Sequence, residues 1–337
     1  MDFHGAHILS VKQFERADVD VVFRVADGME PYAQRKRITK ALDGAILGNM
    51  FFEPSTRTRV SFGCAFNLLG GHVRETTDIK TSSLTKGESL YDTARVTSGY
   101  SDVVVMRHPK VGSVAEFAAA SRVPVINGGD GSNEHPSQAL LDLYTIKKEL
   151  KSNDREIDGM HIAMVGDLVH GRTVHSLSQL LLLYNNITFT LISPAELRMP
   201  AEIVAELKAA GHRVVETEDM EAGLQDNDTV YLTRIQEERF TTKLEADIYR
   251  GRFRLNQAIY TRYCQPNTII MHPLPRDSRK EASELDNDLN QHPNLAIFRQ
   301  TDNGVLVRMA LFALILGVAD KIEQSAGEVG WYTEGRF

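Results

Sequence analysis

The sequence predicts an α/β protein of two doubly wound parallel-sheet domains, and three observations carry that reading. Apolar, β-rich runs alternate with helix-period segments along most of the chain, the pattern of layered sheets and helices. Several of the runs are apolar on both faces, which suits parallel strands covered by helices on each side. The length, 337 residues, exceeds what one compact core usually holds.

Strands are expected at "GAILGNMFF" (44–52), "DVVVMRH" (102–108), "VPVING" (123–128), "HIAMVGD" (161–167), "ITFTLIS" (187–193), "HRVVET" (212–217), "TVYLTR" (229–234) and "NTIIMHPLP" (267–275). Between them "STRTRVSFGCAFNLLGG", "GESLYDTARVTSGY", "SVAEFAAASR", "HPSQALLDLYTIKKEL", "RTVHSLSQLLLLYN" and "AEIVAELKAAG" have helical periodicity, the first and last ending in a C-cap glycine. The polar stretch "KKELKSNDREIDGM" (147–160) reads as a helix end running into a junction. It divides the chain into a first domain over 1–150 and a second over 151–300. A terminal element at 301–325, with the helix "GVLVRMALFALILGVADKI" (304–322), is expected to pack back on the first domain. The Gly-rich tail 326–337 is expected to be loosely ordered.

Bulk composition excludes several function classes. A net charge of -7, without a dense Lys/Arg stripe, is wrong for a nucleic-acid binder. Cys64 and Cys264 make no metal-ligand spacing and read as two buried free thiols in a reducing compartment; no metal site is expected. The N-terminus shows no basic region followed by an apolar one, and the longest apolar run, 310–319, is too short to span a bilayer. A cytoplasmic protein without membrane association follows.

Chemistry concentrates at strand ends. In "FFEPSTRTRVSF" (51–62), Glu53-Pro54 is the turn after a buried strand and Ser55 a helix N-cap. Thr56, Arg57, Thr58 and Arg59 then occupy the first turn, where free N–H groups and the positive helix end face whatever lies beyond the strand. Guanidinium and hydroxyl groups added there make a phosphate cradle. Two arginines in that turn are unfavourable without an anion, by a few tenths to ~1 kcal/mol each. Being two apart, they face different ways: one grips a ligand and the other pairs with a carboxylate. The stretch is neither a Walker loop nor a dinucleotide fingerprint.

Further polar groups follow the same rule. Lys86 sits among Ser82, Ser83 and Thr85, where a lone loop lysine is ordinarily just solvated. Arg107 and His108 end a buried strand, the expected ligand position in open α/β sheets and equally the place of a surface ion pair. "NGGDGSNEHPSQ" brings His135-Pro136 to a helix start with Gln138 one turn on, two groups able to donate to a carbonyl oxygen; singly, His135 also suits a structural role. Arg172 and Thr173 open a helix in the second half, Arg234 and Gln236 end a strand, and "MHPLPR" (271–276) ends another with His272 and two prolines that fix a turn. Six strand ends thus carry Arg, His, Gln or Ser/Thr with few carboxylates, a balance suited to a doubly anionic substrate pair.

These elements, in this order over residues 5–322, resemble the catalytic chains of the aspartate carbamoyltransferase family: "FFEPSTRTR", "TKGESLYDT", "VVMRHP", "NGGDGSNEHPSQALLDLYTI", "MVGDLVHGRTVHSL", "YLTRIQEER" and "MHPLPR". STRTR alone marks carbamoyltransferases generally; "GRTVHSL", "TRIQEER" and "HPLPR" favour aspartate over ornithine as acceptor, since ornithine enzymes have a cysteine where this chain has Pro273. The resemblance implies carbamoyl transfer from carbamoyl phosphate to L-aspartate, an early step of pyrimidine synthesis, with no cofactor. It implies two α/β domains with the active site in the interdomain cleft, and a homotrimer with shared active sites. It puts Ser55, Thr56, Arg57 and Thr58 on the phosphate; Thr58, Arg107, His135 and Gln138 on the carbamoyl end; and Arg172, Arg234 and Gln236 on the aspartate carboxylates. Pro273 and Leu274 lend backbone carbonyls, and Lys86 with Ser82 or Ser83 reaches in from a neighbouring subunit. Arg57, Thr58, Lys86, Arg107 and His135 are the catalytic set, with Arg59 as structural support. Glu53 resembles an interdomain bridge residue with Arg172 and Arg239 as partners. Val169-His170 departs from the Lys-Tyr pair of many regulated bacterial chains, so regulatory chains, though possible partners, are not implied by it. Segment 240–265 stands where a mobile acceptor-side loop is expected. A silent scaffold, or a carbamoyltransferase for another amine, are the alternatives; the intact set of Arg57, Lys86, Arg107, His135, Arg172 and Arg234 argues against the first.

Overall fold

The computed structural model describes residues 1–77, 87–237, 240, 248–249, 251–277, 279 and 282–331. Two compact units emerge, Met1–Leu140 with Asp302–Phe337, and Leu141–Thr301.

The first unit is built on four parallel strands: β2 (Ile46–Phe51), β3 (His72–Thr77), β4 (Val103–His108) and β5 (Val125–Asp130), in the order β3-β2-β4-β5. Chain direction across the sheet reverses between β2 and β4. In an open α/β sheet that switch point, at the C-terminal strand ends, is where ligands bind. β2, β4 and β5 are almost wholly buried, as their unbroken apolar runs require. Helices α2 (Thr56–Leu68), α3 (Leu90–Thr97) and α4 (Ser113–Ala120) follow β2, β3 and β4. Helix α1 (Arg16–Ala33) precedes the sheet; it buries Val19, Val22, Phe23, Ala26 and Met29, a helical stripe that sequence reading passed over. Strand β3 was passed over too. It is an edge strand whose residues are mostly exposed, so it lacks the apolar signature of its neighbours.

A small antiparallel pair joins β1 (Arg37–Thr39) to β11 (Ala326–Glu328), with Ile38 opposite Gly327. The start of the tail expected to be loose is therefore paired. Glu323 reinforces it, accepting from Tyr32 Oη at 2.8 Å and Arg37 at 2.6 Å.

The second unit has β6 (His161–Val165), β7 (Thr188–Ile192), β8 (Arg213–Thr217), β9 (Thr229–Leu232) and β10 (Ile269–Met271), all parallel, in the order β10-β9-β6-β7-β8. Its switch point falls between β6 and β9. Helices α6 (Arg172–Leu181), α7 (Ala201–Ala209), α8 (Met220–Gly223) and α9 (Gln257–Tyr263) belong to this unit, while α5 (Pro136–Lys151) begins in the first unit and α10 (Ile297–Ile315) ends in it. The C-cap glycines fall as expected, Gly70 after α2 and Gly211 after α7 at φ +94° and +86°. Helix α10 starts before the expected 304 and stops before 322; it runs through Gly304, and Gly317 at φ +65° follows its end. Within 240–265, expected as a mobile loop, α9 is capped by Asn256 Oδ1 accepting from Ile259 N at 2.9 Å, while residues 241–247 and 250 lie outside the described residues. Both cysteines are free but half-buried rather than buried. Among the described residues no helix is long and apolar enough to cross a membrane.

Candidate active site

In the first unit the expected residues stand at the C-terminal ends of β2, β4 and β5, around the sheet's switch point. Phe52 N donates to Arg107 O at 2.9 Å, locking the two strand ends together. The Arg107 guanidinium, only 9% exposed, lies 2.8 Å from Glu53 Oε2 and donates to Gly128 O at 3.3 Å. Gly129 makes room for it: at φ +129°, a side chain there would meet Arg107 at 2.9 Å. That explains the second glycine of "NGGDG". Glu53, read as an interdomain bridge, thus has Arg107 of its own unit as a partner; Arg239 lies outside the described residues.

Ser55 holds the N-cap position of α2, but its side chain makes no capping hydrogen bond. The expectation of a capping serine is half met: the position is right and the hydroxyl is not spent on its own helix. Thr56 and Arg57 are exposed and Thr58 is half-buried, so this first turn faces solvent with a guanidinium, two hydroxyls and the helix's positive end. Arg59 pairs with Glu75 at 3.6 Å, and Asn49 Nδ2 ties Arg59 O to Glu75 Oε1 at 3.1 Å each. One of the two arginines therefore does meet a carboxylate, as the spacing required.

His135 is buried at the start of α5, its carbonyl accepting from Gln138 N at 2.9 Å. Pro136 takes the first helical position, where a missing N–H costs nothing. His108 packs edge-on against Phe52 at 5.9 Å and accepts from Lys110 N through Nδ1 at 3.1 Å. Ser82, Ser83 and Lys86 lie outside the described residues.

In the second unit Arg172, Arg234 and Gln236, expected on the acceptor side, follow the ends of β6 and β9 at that sheet's switch point. Gly166, at φ +113°, lets the end of β6 touch β9; a Cβ there would clash with Thr233 O. Asp167, wholly buried, then organises the turn. Its carboxylate accepts from His170 N at 3.1 Å and from Gln236 N at 3.2 Å, and His170 Nδ1 lies 3.1 Å from both its oxygens. Gln236 Nε2 donates to His170 O at 2.8 Å. Arg172 opens α6, and Arg234 donates to Ile235 O at 3.2 Å. Arg279 holds the Asp277 carboxyl below its usual range, and Arg234 adds to that field.

The "MHPLPR" turn ends β10. His272, 1% exposed, accepts from Leu274 N through Nδ1 at 2.8 Å, and Leu274 is held at φ +56°. Burial lowers the Arg276 pKa, and its NH1 atom is buried without a hydrogen-bond partner among the described residues. Beneath the turn, Tyr231 Oη donates to Asp142 Oδ2 at 2.7 Å, Gln300 Nε2 to Asp142 Oδ1 at 2.6 Å, and His272 N to Gln300 Oε1 at 3.1 Å. Burial and the Asp142 charge push the Tyr231 phenol well above its ordinary pKa. Sequence reasoning missed Asp142, Asp167, Glu284 and Arg276. The signals for Asp167 and Arg276 were present, each standing at a strand end inside a quoted motif.

Comparison with known proteins agrees with this division. Residues 6–148 match a family described as "Aspartate/ornithine carbamoyltransferase, carbamoyl-P binding domain", and residues 158–315 match its "Asp/Orn binding domain". The chain is 70% identical over 337 residues to the aspartate carbamoyltransferase catalytic subunit of Saccharophagus degradans, covering 100% of both. It is 70% identical to that of Cellvibrio japonicus, covering 100% of this chain and 99% of the other. The aspartate transcarbamoylase of Trypanosoma cruzi, solved with carbamoyl phosphate and aspartate, superposes with a TM-score of 0.84 at 37% identity, covering 93% of this chain and 98% of that one. With both halves matched and identity running end to end, the chain belongs to the aspartate/ornithine carbamoyltransferase family.

Proposed function

We propose that this chain transfers the carbamoyl group of carbamoyl phosphate to the amine of L-aspartate, giving N-carbamoyl-L-aspartate and phosphate for pyrimidine synthesis. The observation that carries this reading is the solvent-facing first turn of α2, where the Ser55 hydroxyl is not used as a cap and Arg57 follows the end of β2, the strand next to the β4 that carries Arg107. The names and bound ligands of the relatives support the same reaction.

In this reading Ser55, Thr56, Arg57 and Thr58 hold the phosphate, and Thr58, Arg107, His135 and Gln138 hold the carbamoyl oxygen. Arg172, Arg234 and Gln236 hold the aspartate carboxylates, with carbonyls of Pro273 and Leu274 on its amine side. The amine nitrogen attacks the carbonyl carbon, and the C–O bond to phosphate breaks. The amine proton leaves with the phosphate. Negative charge develops on the carbonyl oxygen and the leaving group, and preorganised donors stabilise it. Holding the reactants in attack geometry contributes up to ~7–11 kcal/mol. His135 has no base role in this scheme.

We further assign the chain to a cytoplasmic homotrimer in which Lys86, with Ser82 or Ser83, serves a neighbouring subunit's site. Carbamoyl phosphate offered to the purified chain with aspartate or ornithine tests the reaction. Turnover with aspartate alone is expected. Turnover with ornithine would overturn the acceptor assignment, and none with either would point to a silent scaffold. Mixed trimers of Lys86→Ala and Arg57→Ala chains should regain activity; hybrids that stay inactive would sink the shared site.

A further inference from the structure

The "MHPLPR" turn has a carboxylate beneath it to which no role has been given. Glu284 is buried, at 7% exposure, and its Oε1 lies 2.7 Å from His272 Nε2. The contact is short but bent, with the oxygen beside the N–H direction rather than along it. Both oxygens of Glu284 also accept from Asp277 N, at 3.2 and 3.3 Å. One carboxylate therefore spans the turn from its first residue to the residue after its arginine. On the other side of the imidazole, Nδ1 accepts from Leu274 N at 2.8 Å. A ring nitrogen that accepts carries no proton, so the proton of neutral His272 sits on Nε2, the nitrogen 2.7 Å from Glu284 Oε1. Were that proton on Nδ1, two hydrogens would oppose each other at Leu274 N, and the backbone there would have to turn. Leu274 is the residue at φ +56°, a conformation a leucine holds only when its surroundings over-determine it.

We propose that Glu284 is a positioning residue for the acceptor amino acid: it fixes the Nε2–H tautomer of His272, which pins Leu274 N and aims the Pro273 and Leu274 carbonyls. The assignment deepens the aspartate reading above and rests on it for the identity of the ligand. Glu284 touches no substrate; it acts through His272. The device resembles a metal site's outer shell, where a carboxylate behind a histidine sets which ring nitrogen is free.

The test pairs a spectroscopic readout with kinetics. Nitrogen-15 NMR of the histidine-labelled full chain reads the protonation of each ring nitrogen, and His272→Asn assigns the signal. The expected spectrum has His272 protonated on Nε2 and bare on Nδ1. Glu284→Leu should abolish that single tautomer. It should raise the aspartate KM about tenfold, while the carbamoyl phosphate KM stays within about twofold. Glu284→Gln, whose amide oxygen can still accept, should restore both readouts. A wild-type His272 protonated on Nδ1 would overturn the proposal, as would a leucine variant that raises both KM values alike. If Glu284→Leu does not fold, the wild-type spectrum decides alone. Lack of aspartate turnover by a wild-type chain with the expected tautomer would count against the proposed reaction and leave the Glu284–His272 relation standing.

Discussion

The Arg107 guanidinium lies 2.8 Å from the Glu53 carboxylate at the switch point of the first sheet, with both side chains largely out of solvent. A charge pair in that position is costly to break from one side, because the survivor stays buried. Glu53→Ala is expected to lower unfolding stability by about 1–3 kcal/mol. Urea unfolding of the two proteins side by side checks it, and an unshifted midpoint would mean that the pair contributes nothing.

Arg57 stands in the exposed first turn of α2. Arg57→Ala should remove about 2–4 kcal/mol of transition-state stabilisation. In steady-state kinetics that is a fall of about 30- to 1000-fold in kcat/KM for carbamoyl phosphate. Near-normal activity would refute the phosphate assignment.

Arg234 belongs to the other switch point, beside Gln236 and near the Asp277–Arg279 pair. Its replacement by alanine should weaken aspartate far more than carbamoyl phosphate, by about tenfold or more. Equal effects on both KM values would argue against separate halves of the site.

Burial holds the pKa values of His7, His108, His175 and His212 below the ordinary histidine value. Their bonds need neutral rings: His7, His108 and His212 accept backbone N–H groups through Nδ1. Unfolded, the same rings take up protons near pH 6.5. The unfolded chain therefore binds more protons in that window. The stability these rings contribute is full above about pH 6.5 and is lost as pH falls through their lower folded values. Urea midpoints measured from pH 8 down to pH 5.5 should decline below about pH 6.5; a flat profile would contradict the burial argument.

Burial pushes the Cys264 thiol up to about 12. At pH 8 its thiolate is on the order of one part in ten thousand, and the thiolate is the nucleophile. Maleimide added to the folded chain at that pH should leave Cys264 unmodified, as peptide mass mapping would reveal. Rapid labelling would contradict the raised thiol pKa.

Much of the fold was legible because the central strands are apolar on both faces: β2, β4, β6, β9 and β10 lie within the runs that predicted them, and β5 runs two residues past its own, to Asp130. β3 was not legible, since an exposed edge strand reading "HVRETT" carries no such pattern. The pairing of β1 with β11 joins segments nearly 300 residues apart, and nothing local in either one announces the other. In the site, cations and hydroxyls stood out at strand ends, and helical spacing alone predicted that one of Arg57 and Arg59 would meet a carboxylate, as Arg59 does with Glu75. The carboxylates did not stand out. Asp142, Asp167 and Glu284 act by holding other groups, and a buried acid looks in sequence like any solvated one until its partners are known.

Gly166 has a bearing on how this chain can vary. The end of β6 and the end of β9 come together there through the space a side chain would fill, and the backbone is left-handed besides. Asp167 follows on one strand, and Arg234 and Gln236 follow on the other. A drift to alanine at this codon would thus be read out as a wider gap between the groups proposed to meet the acceptor, not as a simple local loss. In a saturation library selected for growth without pyrimidines, position 166 should return only glycine, even though no atom of it needs to touch a substrate.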